Sequence, residues 1–252
     1  MSEVFTWISQ EMALTLGLAA IAILFLHNFL TEARDKKRLE NGEPGVRMSL
    51  YATVMRHLWG LALVVTIAWL ASGRDLVSLG LGASVSGWQS WLAWGLAAAG
   101  CAYLIYSVAS AATSVKARQS LRRQIENAGD VDLIRPETSP EYARFRYLAV
   151  TAGITEEIIF RGFLIGTLSL FLPLPFAAAL SVLIFVLGHA YQGPAGMLRI
   201  VPISIVLTTI FVLSGSLWPA IILHAVTDLV GGALFQIVNT HKDEDANAEV
   251  PA

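Results

Sequence analysis

The sequence predicts an all-α, polytopic membrane protein of about seven transmembrane helices, within bounds of six to eight. Three observations predict it. The chain of 252 residues is 55% hydrophobic with a mean hydropathy of +0.61. Only 14% of its residues are charged, against roughly 25% in an average soluble domain. Its apolar stretches approach the roughly 20 residues that cross a bilayer. They are too many to be the core helices of a soluble chain of this length.

The first expected span is 12–30, ending before TEARDKKRLE. Residues 1–11 hold Glu3 and Glu11 and no basic residue. A secretory signal needs a positive n-region, so this span is expected to be a retained helix. The second and third are 49–71 and 91–113. A basic loop, 114–146, follows. Its KARQSLRRQIENAG has helical spacing and closes on Gly129, and DVDLIRPETSPEYARF, with Pro136 and Pro140, reads as an extended linker. The remaining spans are 147–170, 175–190, 198–214 and 217–238. The fifth and sixth are short and the sixth holds Pro202, which a setting of protein or internal water tolerates. The tail 239–252 is expected to be solvated and disordered. The chain thus divides into N-terminal helices (1–113), a cytoplasmic loop (114–146), a C-terminal core (147–238) and a tail (239–252).

Basic residues concentrate in 31–47 and 114–146. The positive-inside rule puts both loops in the cytoplasm, the N-terminus outside and the C-terminus inside. The net charge of −2 says nothing about partners, because the charges are confined to loops. The single Cys101 cannot form an internal disulfide. No glycine-rich phosphate loop, HExxH, GxSxG or nucleic-acid patch is present. The expected partner at this level is the bilayer, with no nucleic acid.

The candidate chemistry lies in the C-terminal core. Glu156 and Glu157 sit within TAGITEEIIFRGFLIGTLSLF, and ionisable groups at membrane depth belong to a site or a salt bridge. Glu157 and Arg161 are four apart with the acid first, the better order for a helical ion pair. Glu156 points about 100° away around an ideal helix and has no local partner. It needs a partner from another helix, a metal or a proton. Phe185 and His189 share a face near the end of the fifth span. In GSLWPAIILHAVTDLVGG, Ser216 and Pro219 suit a helix start. His224 and Asp228 then lie four apart, where the carboxylate can hold the imidazole's tautomer or join the site. His27, His57 and His241 lie near span ends or in the tail and are read as bland.

Glu156-Glu157-x-x-x-Arg161, Phe185-x-x-x-His189 and His224-x-x-x-Asp228, in this order on separate apolar segments, resemble the CPBP family. This is the family of CAAX prenyl proteases and bacteriocin-processing proteins, also called Abi. The resemblance is to type II CAAX prenyl endopeptidases over about 147–234, with a generic similarity earlier that includes the LGLG turn at 79–82. The prenyl-protease members have Asn where this chain has Asp228; the family pattern allows either.

The resemblance implies an intramembrane endopeptidase whose partner is a peptide or membrane-protein substrate, multi-pass in a membrane expected to be the plasma (inner) membrane of a bacterium. It implies that Glu156 is the general base that activates water. His189 and His224 orient that water or stabilise the oxyanion, and Asp228 assists them. Glu157, Arg161 and Phe185 are supporting residues. No cofactor is favoured; zinc, if present, would sit on Glu156, His189 and His224, which gives the alternative of a zinc metalloprotease. Two further alternatives are a non-catalytic membrane protein that binds a partner and an ion-coupled transporter, since carboxylate and histidine relays also serve transport.

Overall fold

A computed structural model of the chain describes residues 2–126 and 133–241. Its elements are α1 (Ser2–Glu40), α2 (Val46–Ala71), α3 (Trp88–Thr113), α4 (Val115–Glu126), α5 (Ser139–Glu156), α6 (Ile165–Leu168), α7 (Leu174–Leu187), α8 (Gly193–Ser214) and α9 (Trp218–Thr240). π-Helical segments occupy Val77–Leu81 and Glu157–Leu164, and a 3-10 turn occupies Ala190–Gln192. No strand occurs among the described residues.

The helices form one bundle in which α5 packs along α9, α2 along α5 and α3 along α9 and α8, while α1 lies chiefly on α2. Five segments are long and apolar enough to cross a membrane: Glu11–Glu40, Val46–Ala71, Trp88–Thr113, Ala190–Ser214 and Trp218–Thr240. α7 is a shorter apolar helix, and α5 continues through the π segment into α6. The chain is an integral, multi-pass membrane protein. Large apolar side chains such as Ile23, Phe29, Leu63, Ile105 and Leu183 face outward, as a bilayer requires. Trp88, Trp91 and Trp218 are exposed at the starts of α3 and α9, where aromatic rings favour the membrane–water interface.

Several boundaries differ from the sequence reading. α5 starts at Ser139, inside the stretch read as linker. Thr138 and Glu141 form a capping box, with Pro140 in the first turn. The prolines that looked like breakers thus lead into a helix start, a position that proline's fixed φ suits. α7 ends at Leu187, so His189 stands just beyond the helix rather than inside it. α8 starts at Gly193 and carries Pro202 within it. α9 starts at Trp218, after Leu217. Ser216 has a different task from the expected cap: its hydroxyl donates to Gly82 O at 2.9 Å and receives the Trp218 N–H at 3.4 Å. The helix expected in the basic loop is α4; its expected stop at Gly129, and the tail beyond 241, lie outside the described residues.

The LGLG turn holds the start of α9. Gly80 has φ +95 in the middle of the first π segment, a left-handed value that a side chain would strain. Its carbonyl accepts the Leu217 N–H at 2.8 Å, and Leu81 O accepts the Trp218 indole N–H at 3.2 Å. A segment outside the motif-bearing core thereby fixes where His224's helix begins.

Candidate active site

The second π segment begins at Glu157, immediately after Glu156. Such widened turns are rare and recur at functional sites. A π turn leaves backbone groups without their usual partners, and here the Ser181 hydroxyl of α7 donates to Phe160 O at 2.8 Å. The segment is thus tied sideways to the helix that leads to His189.

Glu157 and Arg161 make the ion pair expected from their spacing, Nη1 to Oε1 at 2.9 Å, with both side chains fully buried. The guanidinium is shared further. Its Nε donates to Thr208 Oγ1 at 3.3 Å, and Nη2 donates to Ser204 Oγ at 3.1 Å and Ser204 O at 3.3 Å. Its carbon lies 4.4 Å from the centroid of the Phe185 ring, within cation–π range. Phe185 also packs edge-on against Phe160 and His224, with centroids 5.0 and 6.1 Å away. Arg161 therefore joins the π segment to α7 and α8.

Glu157 has a second partner that spacing did not reveal. His224 Nδ1 lies 2.7 Å from the same Oε1. A carboxylate accepts, so Nδ1 carries a proton and donates it. Glu157, rather than Asp228, thus sets the orientation of this imidazole. The opposite nitrogen, Nε2, faces Glu156 Oε2 at 3.8 Å and Asp228 Oδ2 at 3.7 Å. The missing partner of Glu156 comes from α9.

Exposure divides these groups. The side chain of Glu157 is 0% exposed, that of His224 7%, Glu156 14% and Asp228 34%. One edge of the imidazole is sealed, and the other opens toward Asp228. His189, just past the end of α7, packs on the Phe185 ring with centroids 4.6 Å apart and interacts electrostatically with His224, Asp228 and Arg161. Its Nδ1 lies 2.8 Å from Phe185 O. A carbonyl only accepts, so this nitrogen also carries a proton. Both histidines are thus held at Nδ1, leaving Nε2 for chemistry. The sequence-derived set of Glu156, Glu157, Arg161, Phe185, His189, His224 and Asp228 forms one cluster.

α5 and α9 must come very close for Glu157 to reach His224. A Cβ at Gly153 would meet Ala225 N and Cβ at 2.7 Å. Gly153 lies one turn before the glutamates, and Ala225 follows His224.

Residues 138–230 match the model of the family described as type II CAAX prenyl endopeptidase Rce1-like. The matched stretch opens on Thr138, the cap of α5, and closes just past Asp228. It contains all three motifs, so the family model and the motif reading point to the same resemblance. No curated protein and no solved structure matches the chain. The family's description is that of a peptidase, and the Rce1-like segment supplies every group of the cluster.

Among the described residues, no group of three or more His, Cys, Asp or Glu is placed to hold a metal ion. The trio of Glu156, His189 and His224 suggested for zinc does not meet that arrangement here, so no step is drawn through a metal. Tyr191, which sequence reasoning did not single out, belongs to the cluster. Its ring lies 5.9 Å from that of His189, its hydroxyl accepts the Gln192 amide at 3.0 Å, and it interacts electrostatically with Glu156 and Asp228. Its place directly after His189-Ala190 was the available signal. Ser204 and Thr208 were missed too, because only their distance from Arg161 shows their part. His27 and His57 face each other at 5.3 Å, on α1 and α2.

Proposed function

We propose that this protein is an intramembrane endopeptidase that hydrolyses a peptide bond of a membrane-associated substrate with water activated by Glu156. One observation carries the assignment of roles: His224 is clamped at Nδ1 by the sealed Glu157 and presents Nε2 to the accessible Glu156 and Asp228. The Rce1-like match supports a peptidase, and a prenylated-cysteine peptide is the substrate class its name suggests.

In this reading Glu156 takes a proton from water, and the hydroxide adds to the scissile carbonyl. Water is a poor nucleophile at neutral pH and needs such a base, an effect of about 10²–10⁴-fold. The carbonyl oxygen becomes an oxyanion that a protonated Nε2 of His189 can stabilise, while Nε2 of His224 orients the water. Holding each Nδ1 beforehand spares the rings reorganisation when charge develops. Arg161 and Glu157 never meet substrate; they fix His224. The mechanism is proposed to be metal-free, so cleavage is expected to survive a zinc chelator. The proposed location is a bacterial plasma membrane.

The test is cleavage of a quenched prenylated-cysteine peptide by protein in proteoliposomes, alongside membrane proteomes of wild-type and Glu156→Ala cells. Glu156→Ala should abolish cutting and leave uncut clients in cells, with thermal unfolding unchanged. An active Glu156→Ala protein overturns the assignment.

A further inference from the structure

Three carboxylates surround one imidazole, and among the described residues only Glu157 is paired with a permanent cation. Glu157 has Arg161 at 2.9 Å. Glu156 and Asp228 come from different helices, and both face Nε2, at 3.8 and 3.7 Å. The charged and titratable groups about Asp228 are Glu156 and Glu157 from the α5–π segment, His224 on its own helix, and His189 and Tyr191 from the turn after α7. Among the described residues, none of these groups is a lysine or arginine, although Arg161 lies behind Glu157. With His224 neutral, as its Nδ1–H on Glu157 allows, the charges of Glu156 and Asp228 have no cation of the cluster to offset them. Like charges close together in a poorly solvated site do not both ionise. A single proton held between Glu156 and Asp228 resolves this.

From this placement we infer that Asp228 is the acid that protonates the leaving amine, exchanging its proton with Glu156 through Nε2 of His224. This rests on the endopeptidase reading. The sequence of proton transfers balances. Glu156, as carboxylate, takes a proton from water while the oxygen bonds to the carbonyl carbon and the C=O π pair moves to oxygen. Asp228, as carboxylic acid, gives its proton to the amide nitrogen. The C–N bond breaks, the oxyanion pair re-forms C=O, and the products are a carboxylic acid and an amine. Glu156 is then protonated and Asp228 ionised. Neutral His224 resets them: Nε2 accepts the proton from Glu156 and passes it to Asp228, while Nδ1–H stays on Glu157 as a pivot. Asp228 is the most exposed of the three acids, with 34% of its side chain accessible, which suits the side on which an amine departs.

Two measurements test this on the full-length protein in proteoliposomes. The first compares two prenylated-cysteine peptides that differ only in an amide or an ester at the scissile position. An alkoxide leaves with far less help from an acid than an amide anion. Asp228→Asn, close to isosteric, should lose about 100-fold on the amide and less than tenfold on the ester. Equal losses on both would overturn the acid role and leave Asp228 as a positioning residue. Glu156→Gln should lose both activities; if it cuts the amide normally, Glu156 is not the base and the relay fails, whereas a wild-type protein that cuts neither substrate overturns the endopeptidase reading itself.

The second measurement needs no substrate. A membrane-permeant carbodiimide labels protonated carboxyl groups, and mass spectrometry locates the label. In the wild type Glu156 and Asp228 should share the label at neutral pH. Asp228→Asn should cut labelling of Glu156 several-fold, and Glu156→Gln should do the same at Asp228. If either site labels equally with and without its neighbour, the two do not share a proton and the proposal is wrong.

Discussion

The two edges of the His224 ring use the same chemistry for opposite ends. On the sealed edge, Glu157 meets Nδ1 at 2.7 Å, Arg161 backs it, and Ser204, Thr208 and Phe185 enclose the arginine. On the open edge, Glu156 and Asp228 stand off Nε2 at nearly 4 Å, with exposure rising outward. Consecutive glutamates thus have separate settings: one is a sealed part of the scaffold, and the other keeps 14% of its side chain exposed. A carboxylate already engaged by a cation and an imidazole is a poor base. The open-edge acids are not so satisfied, which suits the reactive roles proposed for them.

The largest effect expected is on the sealed edge. Arg161→Leu removes the cation of a buried pair and strands Glu157, so stability should fall by about 3–5 kcal/mol. Activity should fall with it, because Glu157 would no longer hold His224. Unfolding in detergent beside peptide cleavage measures both. If Arg161→Leu lost activity but kept its stability, the division between a structural and a chemical edge would be broken. Glu156→Ala supplies the opposite pattern, lost cleavage at unchanged stability.

Much of this was legible in the sequence. The order of the three motifs, the four-residue spacing of Glu157 and Arg161, and the isolation of Glu156 all follow from helical geometry. What the geometry could not give was the second partner of Glu157. His224 lies on a distant helix, and only the close passage of Gly153 past Ala225 brings it near. The π segment was invisible because ideal helical spacing was assumed through it. The start of α5 was a different kind of miss. Thr138-Ser139-Pro140-Glu141 is a readable capping box, in which Pro140 occupies a first-turn position instead of breaking the helix.

Gly153→Val sharpens the comparison through packing. The added side chain has no room against the Ala225 backbone, which would meet even a Cβ at 2.7 Å. Overpacking of this kind costs about 1–3 kcal/mol. It should push α9 away, lengthen the Glu157–His224 contact and lower cleavage more than the loss of stability alone explains. Stability measured beside cleavage at a temperature where the variant remains folded separates the two. A variant that is destabilised yet fully active when folded would show that the sealed edge tolerates displacement.

Tyr191→Phe probes the open edge and should have the smallest effect. The change removes one hydroxyl and keeps the ring against His189 at its 5.9 Å spacing. The hydroxyl's protein partner is the Gln192 amide, a neutral hydrogen bond worth about 1 kcal/mol. Stability should therefore shift by no more than that. Glu156 and Asp228, with which Tyr191 interacts electrostatically, are the proposed reacting acids, so the loss should appear as a several-fold fall in kcat with KM nearly constant. If KM rose instead at constant kcat, Tyr191 would belong to substrate binding, and the open edge would extend from chemistry into recognition along the turn after His189.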